Sequence, residues 1–237
     1  MKASPWSRGA ALLAERLFGG TCYLCRGDSR GILCDQCSGD LPYLERPRCP
    51  RCALPILSRA QLCGKCLGDA PQFDATVAVF AYAFPADALV KALKFNSELA
   101  LAPLLAGRLV AELQANAMDP VDLVVPVPLH ELRLRQRGYN QSMEIARVAA
   151  AQLELPVSAD LCIRVRDTAA QLDLPWKERH DNVRNAFSCR RAVDGKRIAV
   201  VDDVMTTGAT LNEIAATLKK FGAARVVNWV IARTPAD

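Results

Sequence analysis

The sequence predicts an α/β domain built on a parallel sheet, preceded by a small cysteine-rich module. Eight of the ten cysteines of this 237-residue chain lie between Cys22 and Cys66. From residue 73 onward, short apolar runs alternate with amphipathic stretches, a pattern typical of strands that alternate with helices around a parallel sheet. A composition of 51% hydrophobic and 23% charged residues fits a folded globular protein and argues against disordered and fibrous classes.

The first predicted element covers residues 1–18, where apolar positions recur with helical spacing. We expect a helix that packs on the rest of the protein. The apolar run that ends at Ala14 is cut by Glu15 and Arg16, so we expect no signal peptide, and no run reaches the ~18 residues of a membrane-spanning helix. These features predict a cytoplasmic protein without membrane insertion, in which the cysteines stay reduced.

Residues 19–72 form the predicted cysteine-rich module, in which four cysteine pairs follow the pattern C-x2-C. Each pair can turn two thiolates around one metal ion, and two pairs complete a tetrahedral four-cysteine site of the kind that zinc prefers. We expect two closed, structural zinc sites with sequential pairing, although the spacing also allows interleaved pairing. The predicted ligands are Cys22, Cys25, Cys34 and Cys37 for one site and Cys49, Cys52, Cys63 and Cys66 for the other.

Other uses of the four cysteine pairs are a disulfide framework, redox-active motifs and an iron–sulfur cluster. A reduced compartment disfavours disulfides, four copies disfavour a redox pair, and the spacing differs from the compact ferredoxin pattern. Zinc would supply folding energy that so small a core lacks. The remaining Cys162 and Cys189 are expected to be small buried apolar residues. The arginines of the module suit contact with nucleic acid or protein as well as plain solvation.

Residues 73–237 form the predicted α/β domain, in which apolar runs and amphipathic stretches alternate. The segments that predict strands are 73–84 (as one strand or a hairpin), 122–127, 162–165, 197–203 and 225–232. The segments that predict helices are 87–95, 99–114, 140–153 and 211–221. Gly222 follows the last of these and suits the end of a helix.

The most specific signal in the chain lies where the strand 197–203 runs into the next helix. The strand ends with Asp202 and Asp203, and a loop rich in threonine and glycine follows. Ligands bind outside the carboxyl ends of parallel strands, and a helix N-terminus with threonine hydroxyls suits a phosphate. The acid pair suits hydroxyl groups or a metal ion, so a sugar phosphate meets both demands. The alternative is a plain helix N-cap after a strand.

A basic segment follows the strand 122–127. Arg133, Arg135 and Arg137 supply charge that suits pyrophosphate, because the guanidinium fork matches phosphate oxygens. Asn140 begins the next helix, either as a ligand contact or as the N-cap of a solvated basic turn.

A long polar stretch, residues 164–187, contains Arg179 and precedes the central strand. Loops of this length inside a compact domain are usually functional or disordered. We expect the two histidines, His130 and His180, to be surface residues rather than catalysts, so the sequence presents no obvious general base.

Residues 199–210 resemble the phosphoribosyl pyrophosphate (PRPP) motif of type I phosphoribosyltransferases: a hydrophobic strand, two acids, two further residues and a Thr/Gly cluster. Over nearly its whole length the chain resembles the ComF family of competence-associated, phosphoribosyltransferase-like proteins. The resemblance is carried by the cysteine module, Lys94-Phe95, Pro126-Val127-Pro128, Arg137-Gly138-Tyr139-Asn140-Gln141, the series Thr168, Gln171, Leu174, Arg179 and Asn182, and the run from Asp202 to Thr210.

The resemblance implies a double zinc ribbon followed by a type I phosphoribosyltransferase-like domain that binds PRPP with Mg2+. Asp202 and Asp203 would hold the ribose hydroxyls, and Arg137, together with Arg179, would face pyrophosphate. The implied catalytic residues are Asp202, Asp203 and Arg137. The implied substrate-binding residues are Val204, Met205, Thr206, Thr207, Gly208, Ala209, Thr210, Arg179 and Asn140.

Two classes of function follow from these expectations. A pentosyl glycosyltransferase would transfer phosphoribosyl to an unknown acceptor and release pyrophosphate, in connection with DNA uptake in natural transformation. A binding module would instead hold single-stranded DNA with PRPP as a regulator, or dock a helicase-like partner. Eight zinc-bound thiolates and two zinc ions lower the formal net charge from +5 to +1, so overall basicity is weak support for nucleic acid. A 6% aromatic content offers few stacking platforms for single strands.

Overall fold

The computed structural model describes residues 20–58, 62–116, 120–166 and 183–235. The chain separates into two compact units, with the division after Pro42. The helix expected over residues 1–18 lies outside the described residues, and the predicted domain limits stay predictions. Within the described ranges, no helix combines the length and the apolar character needed to span a membrane.

Residues 20–42, the described part of the first unit, form two short strands and one short helix. Strands β1 (Gly20–Thr21) and β2 (Asp28–Ser29) pair antiparallel and flank the turn that carries Cys22 and Cys25, and α1 (Asp35–Gly39) carries Cys37. Strands of two residues bury little apolar surface. The four cysteines therefore have to supply most of the order of this unit.

The second unit contains a four-stranded sheet whose neighbouring strands all pair parallel. Its strands are β3 (Ala75–Ala81), β4 (Leu123–Pro126), β7 (Arg197–Met205) and β8 (Arg225–Arg233). Their spatial order is β3-β8-β7-β4. The central strands β7 and β8 are almost entirely buried, as expected for parallel strands that are covered on both faces.

The helices of the second unit are α2 (Gly64–Gly68), α3 (Ala86–Phe95), α4 (Leu101–Ala115), α5 (Glu131–Arg137), α6 (Gln141–Gln152) and α7 (Ala209–Lys220) in the described residues. Helices α3, α4, α6 and α7 pack against the strands of the sheet. Helices α4 and α6 pack against each other and against the sheet. Leu211 and Ile214 of α7 pack with Val200 of β7 in a hydrophobic core that also includes Cys49 and Cys52. The second cysteine cluster therefore belongs to the α/β unit.

The predicted parallel α/β fold is confirmed, and the segment 73–84 forms one strand rather than a hairpin. The sequence does not predict α5, because Leu132 and Leu134 are exposed and the helix has no apolar face. It also does not predict β6 (Phe187–Cys189), which pairs antiparallel with β5 (Cys162–Arg164) in a separate two-stranded sheet. The three residues of β6 include the polar Ser188, so they form no apolar run of the kind that predicts β5.

Candidate functional site

Two acidic residues lie together near the carboxyl end of β7. Asp202 and Asp203 are 9% and 3% exposed. Ser142 at the start of α6 donates a hydrogen bond from Oγ to Asp202 Oδ1 at 3.0 Å. Lys94 near the end of α3 places its Nζ 3.1 Å from Asp203 Oδ2. The fold thus brings side chains from two helices, α3 and α6, onto the acid pair of β7.

The two carboxyl groups of this acid pair titrate differently. Burial raises the pKa of Asp202 well above its ordinary value, and the neighbouring Asp203 carboxylate adds to the rise. Burial acts to raise the pKa of Asp203 as well, but the Lys94 ammonium and the hydrogen bonds from Asp202 and from the Val204 amide together outweigh burial, and the pKa of Asp203 is lowered. The same ion pair raises the pKa of Lys94 against the effect of its burial. Asp203 is therefore the ionised member at neutral pH, and Asp202 holds a proton more readily.

The loop between β7 and α7 follows directly after the acid pair. Gly208 at its end has a φ of +84°, and a Cβ at this position would lie 2.7 Å from Met205 Cε. The left-handed backbone favours glycine here, and a Cβ would also displace the flexible end of the Met205 side chain. Thr207 Oγ1 accepts a hydrogen bond from the amide of Ala209 at 3.2 Å. The first turn of the 12-residue helix α7 presents its other amides to an anion.

A cavity of about 180 Å³ is lined by the acid pair and by the beginning of α7. Its cationic side chains are Lys94, Arg133, Arg137 and Arg164, and the side chains that carry hydroxyl groups are Tyr82, Ser142, Thr206 and Thr210. Apolar lining comes from Val90, Phe95, Val127, Pro128, Leu129 and Val204. Carboxylates and cations in one cavity suit a ligand that carries both hydroxyl and phosphate groups.

The cysteines of the module form two separate four-thiol clusters, and within each cluster the ligand atoms lie within 4.8 Å of one another. The sulfur atoms of Cys25 and Cys34 are 3.8 Å apart, and those of Cys52 and Cys63 are 3.4 Å apart. Zn–S bonds of ~2.3 Å in a tetrahedron place sulfur atoms about 3.8 Å apart, so both clusters fit zinc. Four thiolates leave no open position, which identifies both sites as structural.

The clusters group the cysteines in sequence order. One contains Cys22, Cys25, Cys34 and Cys37, and the other contains Cys49, Cys52, Cys63 and Cys66. Sequential pairing is therefore confirmed and interleaved pairing is not adopted. Cys162 and Cys189 are buried opposite each other on β5 and β6, as expected for small apolar residues.

Comparisons with known proteins point in the same direction. Residues 13–67 match the double zinc ribbon domain, and residues 101–237 match the phosphoribosyl transferase domain. The chain is 32% identical to Competence protein F of Haemophilus influenzae, over 90% of this chain and 96% of that protein. It is 34% identical to the DNA utilization protein YhgH of Escherichia coli (strain K12), over 91% of this chain and 97% of that protein. The chain belongs to the ComF family.

A more distant relative is Competence protein ComFC of Streptococcus pneumoniae, at 26% identity over 89% of this chain and 91% of that protein. The family assignment confirms the double zinc ribbon and the phosphoribosyltransferase-like domain. The family assignment does not establish the roles of individual site residues, and their positions come from the structure.

In this ComF protein, the loop residues predicted to bind substrate lie along two cavities. Val204, Thr206 and Thr210 line the cavity of the acid pair. Met205, Thr207 and Gly208 line a second cavity, which also contains residues of the second zinc ribbon. Ala209 is the buried first residue of α7. The substrate roles of these residues stay predictions.

The other predicted site residues have distinct positions. Arg137 lines the acid-pair cavity, with Nη1 2.6 Å from Gln141 Oε1 and its guanidinium 5.6 Å from the ring centre of Phe95. Asn140 caps α6: its Oδ1 accepts from the amide of Ser142 at 3.0 Å, and its Nδ2 donates to the Val127 carbonyl at 3.0 Å. Its substrate contact stays a prediction.

Arg179 lies outside the described residues, together with His180 and the rest of the series Thr168, Gln171, Leu174 and Asn182. The other histidine, His130, caps α5 by accepting a hydrogen bond from the amide of Leu132. The expectation that neither histidine is a catalyst stays a prediction.

The sequence did not predict that Lys94 and Ser142 contact the acid pair. Lys94 is in the Lys94-Phe95 segment, but one lysine on a helix gives no sign of an acidic partner more than 100 residues away. Ser142 is only one of several polar residues at a helix start, and its partner Asp202 is 60 residues distant. The signal that could have found both is their position: each is near an end of a helix next to the carboxyl edge of the sheet.

Proposed function

We propose that this ComF protein binds PRPP in the acid-pair cavity and transfers its phosphoribosyl group to an acceptor, with release of pyrophosphate. The observation that carries the proposal is the juxtaposition of a buried acid pair, a helix N-terminus and several cationic side chains on one cavity. A ribose that bears a phosphate and a pyrophosphate presents the complementary groups.

The acid pair would hold the ribose hydroxyls. Ionised Asp203 accepts hydrogen bonds from hydroxyl groups, and Lys94 keeps it ionised. Ser142 fixes the orientation of Asp202 through its 3.0 Å hydrogen bond. Both carboxyl groups therefore have set positions before a ligand arrives, which reduces the entropy lost on binding.

The 5′-phosphate would lie at the start of α7. The amides of the first turn lie there, and the side chains of Thr206 and Thr210 line the cavity beside them. The pyrophosphate would lie near Arg133, Arg137 and Arg164, whose charge favours its departure. These cationic residues would contribute by stabilising the leaving group, since no described histidine lines the cavity.

Mg2+ prefers oxygen ligands, and the carboxylates of the acid pair together with substrate oxygens fit it. When bound, the ion would offset the charge that pyrophosphate gains as it leaves.

Calorimetric titration with PRPP and Mg2+ tests the binding site. Asp203→Asn removes the charge that accepts hydroxyl hydrogen bonds, and we expect at least a tenfold loss of affinity, since charge-assisted hydrogen bonds contribute about 1.5–3 kcal/mol. Asp160→Asn is the matched control, because Asp160 carries the same charge on an exposed surface position. Failure of the wild type to bind PRPP, or equal affinity in Asp203→Asn, contradicts the proposal.

A pyrophosphate-release assay tests the transfer step. Incubation with PRPP, Mg2+ and members of each acceptor class, nucleobases, amines and nucleic acids among them, should yield pyrophosphate that Asp203→Asn does not release. If PRPP binds but no acceptor supports turnover, the protein is a PRPP-binding protein rather than a transferase.

A second candidate function is binding of single-stranded DNA, with PRPP as a regulator and a helicase-like protein as a partner in the cytoplasm. The relatives that support it are named for competence and for DNA utilization. Phosphate contacts make such binding steeply dependent on salt. A band-shift titration at two salt concentrations should show affinity that falls with salt; absence of any shift at low salt removes this candidate.

A further inference from the structure

The second zinc ribbon, which contains the ligands from Cys49 to Cys66, and the loop between β7 and α7 line one cavity. This cavity has a volume of about 230 Å³ and is distinct from the cavity of the acid pair. Cys52, Lys65 and Cys66 line it from the ribbon, and Thr207 and Gly208 line it from the loop. Because open space separates these parts of the ribbon and the loop, close packing alone does not hold the loop in place there.

One buried side chain connects the two sides. Arg233, the last residue of β8, is 3% exposed. Its Nε donates to the carbonyl of Cys52 at 2.9 Å, and its Nη1 donates to the carbonyl of Met205 at 3.0 Å and to that of Thr206. The guanidinium is planar and rigid, so its position against the ribbon sets the positions of the two loop carbonyls.

Burying an arginine is unfavourable unless opposite charge lies nearby. The hydrogen bond to the Cys52 carbonyl places the Arg233 guanidinium beside a ligand of the second zinc site. A four-thiolate zinc site carries a formal charge of −2. The zinc site therefore provides both the carbonyl contact and the charge that favour an arginine at this position.

Two further contacts run alongside Arg233. The amide of Gln72 donates to Asn212 Oδ1 of α7 at 2.7 Å. Lys65, between the ligands Cys63 and Cys66, places its Nζ 3.4 Å from the carbonyl of Thr207. The ribbon thus contacts the loop and the first turns of α7 at several points.

We propose that Arg233 is a positioning residue that couples zinc binding in the second ribbon to phosphate binding at the loop. The proposal rests on the proposed function, in that PRPP is taken as the ligand of the loop. Thermodynamic coupling is reciprocal: if zinc strengthens PRPP binding, PRPP strengthens zinc binding by the same factor. The first ribbon lies in the other unit and shares none of the contacts described for Arg233, so it serves as an internal control.

The test is an equilibrium competition between the full-length protein and a zinc-selective chelator, with and without PRPP and Mg2+. Thiols that have lost zinc are alkylated, and mass spectrometry assigns them to Cys22–Cys37 or to Cys49–Cys66. We expect PRPP to raise the apparent zinc affinity of the second ribbon about fivefold or more, within the usual range of coupling between sites. The first ribbon should be unchanged.

The same titrations with Arg233→Lys test the role of the bridge. Lysine keeps the charge but cannot donate to the ribbon carbonyl and to the loop carbonyls at the same time. We therefore expect PRPP affinity to fall about fivefold or more, while both zinc ions are retained when no chelator is present. PRPP should no longer protect the zinc of the second ribbon against the chelator. Arg225→Lys, at the other end of β8, is the matched control. PRPP binding by the wild type without protection of the second ribbon overturns the coupling alone, even if the variant fails to fold. No PRPP binding by the wild type overturns the proposed function, and the coupling with it.

Discussion

The two zinc ribbons have the same local backbone and different surroundings. In the first, the amide of Cys22 donates to the carbonyl of Gly27 at 2.7 Å, and Arg26 has a φ of 63°. In the second, the amide of Cys49 donates to the carbonyl of Leu54 at 2.7 Å, and Ala53 has a φ of 59°. The second pair of each ribbon opens a five-residue helix, α1 or α2.

The residues after the cysteine pairs show how the ribbons differ. Arg26 in the left-handed position of the first ribbon is exposed, whereas the equivalent Ala53 is fully buried. Ala53 lies with Cys52 and Leu54 in the core that also contains Phe73. One metal-binding motif therefore serves as a small unit of its own in one copy and as part of the α/β core in the other. Tertiary contacts, rather than the ligands, distinguish the two roles.

The largest expected effect comes from removing one ligand in each ribbon. Cys52→Ser should lose one zinc ion and strongly lower the thermal unfolding midpoint, because structural zinc contributes roughly 10 kcal/mol or more to small domains. It should also weaken PRPP binding about fivefold or more, the factor expected for the coupling between the second ribbon and the loop. Cys25→Ser should also lose one zinc ion but leave PRPP affinity within about twofold. Zinc analysis, thermal unfolding and calorimetry measure the three quantities. Equal losses of PRPP affinity in both variants would contradict the conclusion that only the second ribbon supports the PRPP site.

The next effect compares two glycines. Gly208→Ala places a Cβ 2.7 Å from Met205 Cε at a positive φ, and we expect about 1–3 kcal/mol of strain and roughly a tenfold loss of PRPP affinity. Gly39→Ala in the first unit has open space, and should leave both stability and PRPP affinity nearly unchanged. Denaturant unfolding and calorimetry measure the two. Unchanged PRPP affinity in Gly208→Ala would show that the loop does not contact the ligand.

The smallest effect concerns the charge of the acid pair. Lys94→Gln removes the ammonium that lowers the pKa of Asp203, so burial raises that pKa and Asp203 is protonated at a higher pH than in the wild type. Calorimetry between about pH 5.5 and 7.5 should show that the PRPP affinity of the variant rises with pH relative to that of the wild type. Zinc content should stay at the wild-type value in both ribbons. A constant ratio of the two affinities across this range contradicts the role assigned to Lys94.

Local pattern allowed the sequence to predict much of this molecule. Cysteine spacing predicts both zinc sites, and the run from Arg197 to Asp203 predicts the central strand β7 and the acid pair at its end. Local sequence patterns cannot predict the contacts between segments that are distant in the chain. Ser142 and Lys94 reach the acid pair only through the order of the strands. Arg233 is buried, although arginine residues are usually exposed.

Hydrogen exchange of the full-length protein with and without PRPP and Mg2+ tests the central claim most directly, because it reports where the ligand binds. We predict slower exchange at the amides of residues 206–212, where the loop and the first turn of α7 would hold the phosphate, and no change in residues 20–42. Protection confined to residues 20–42, or PRPP binding without any protection at residues 206–212, would contradict the account.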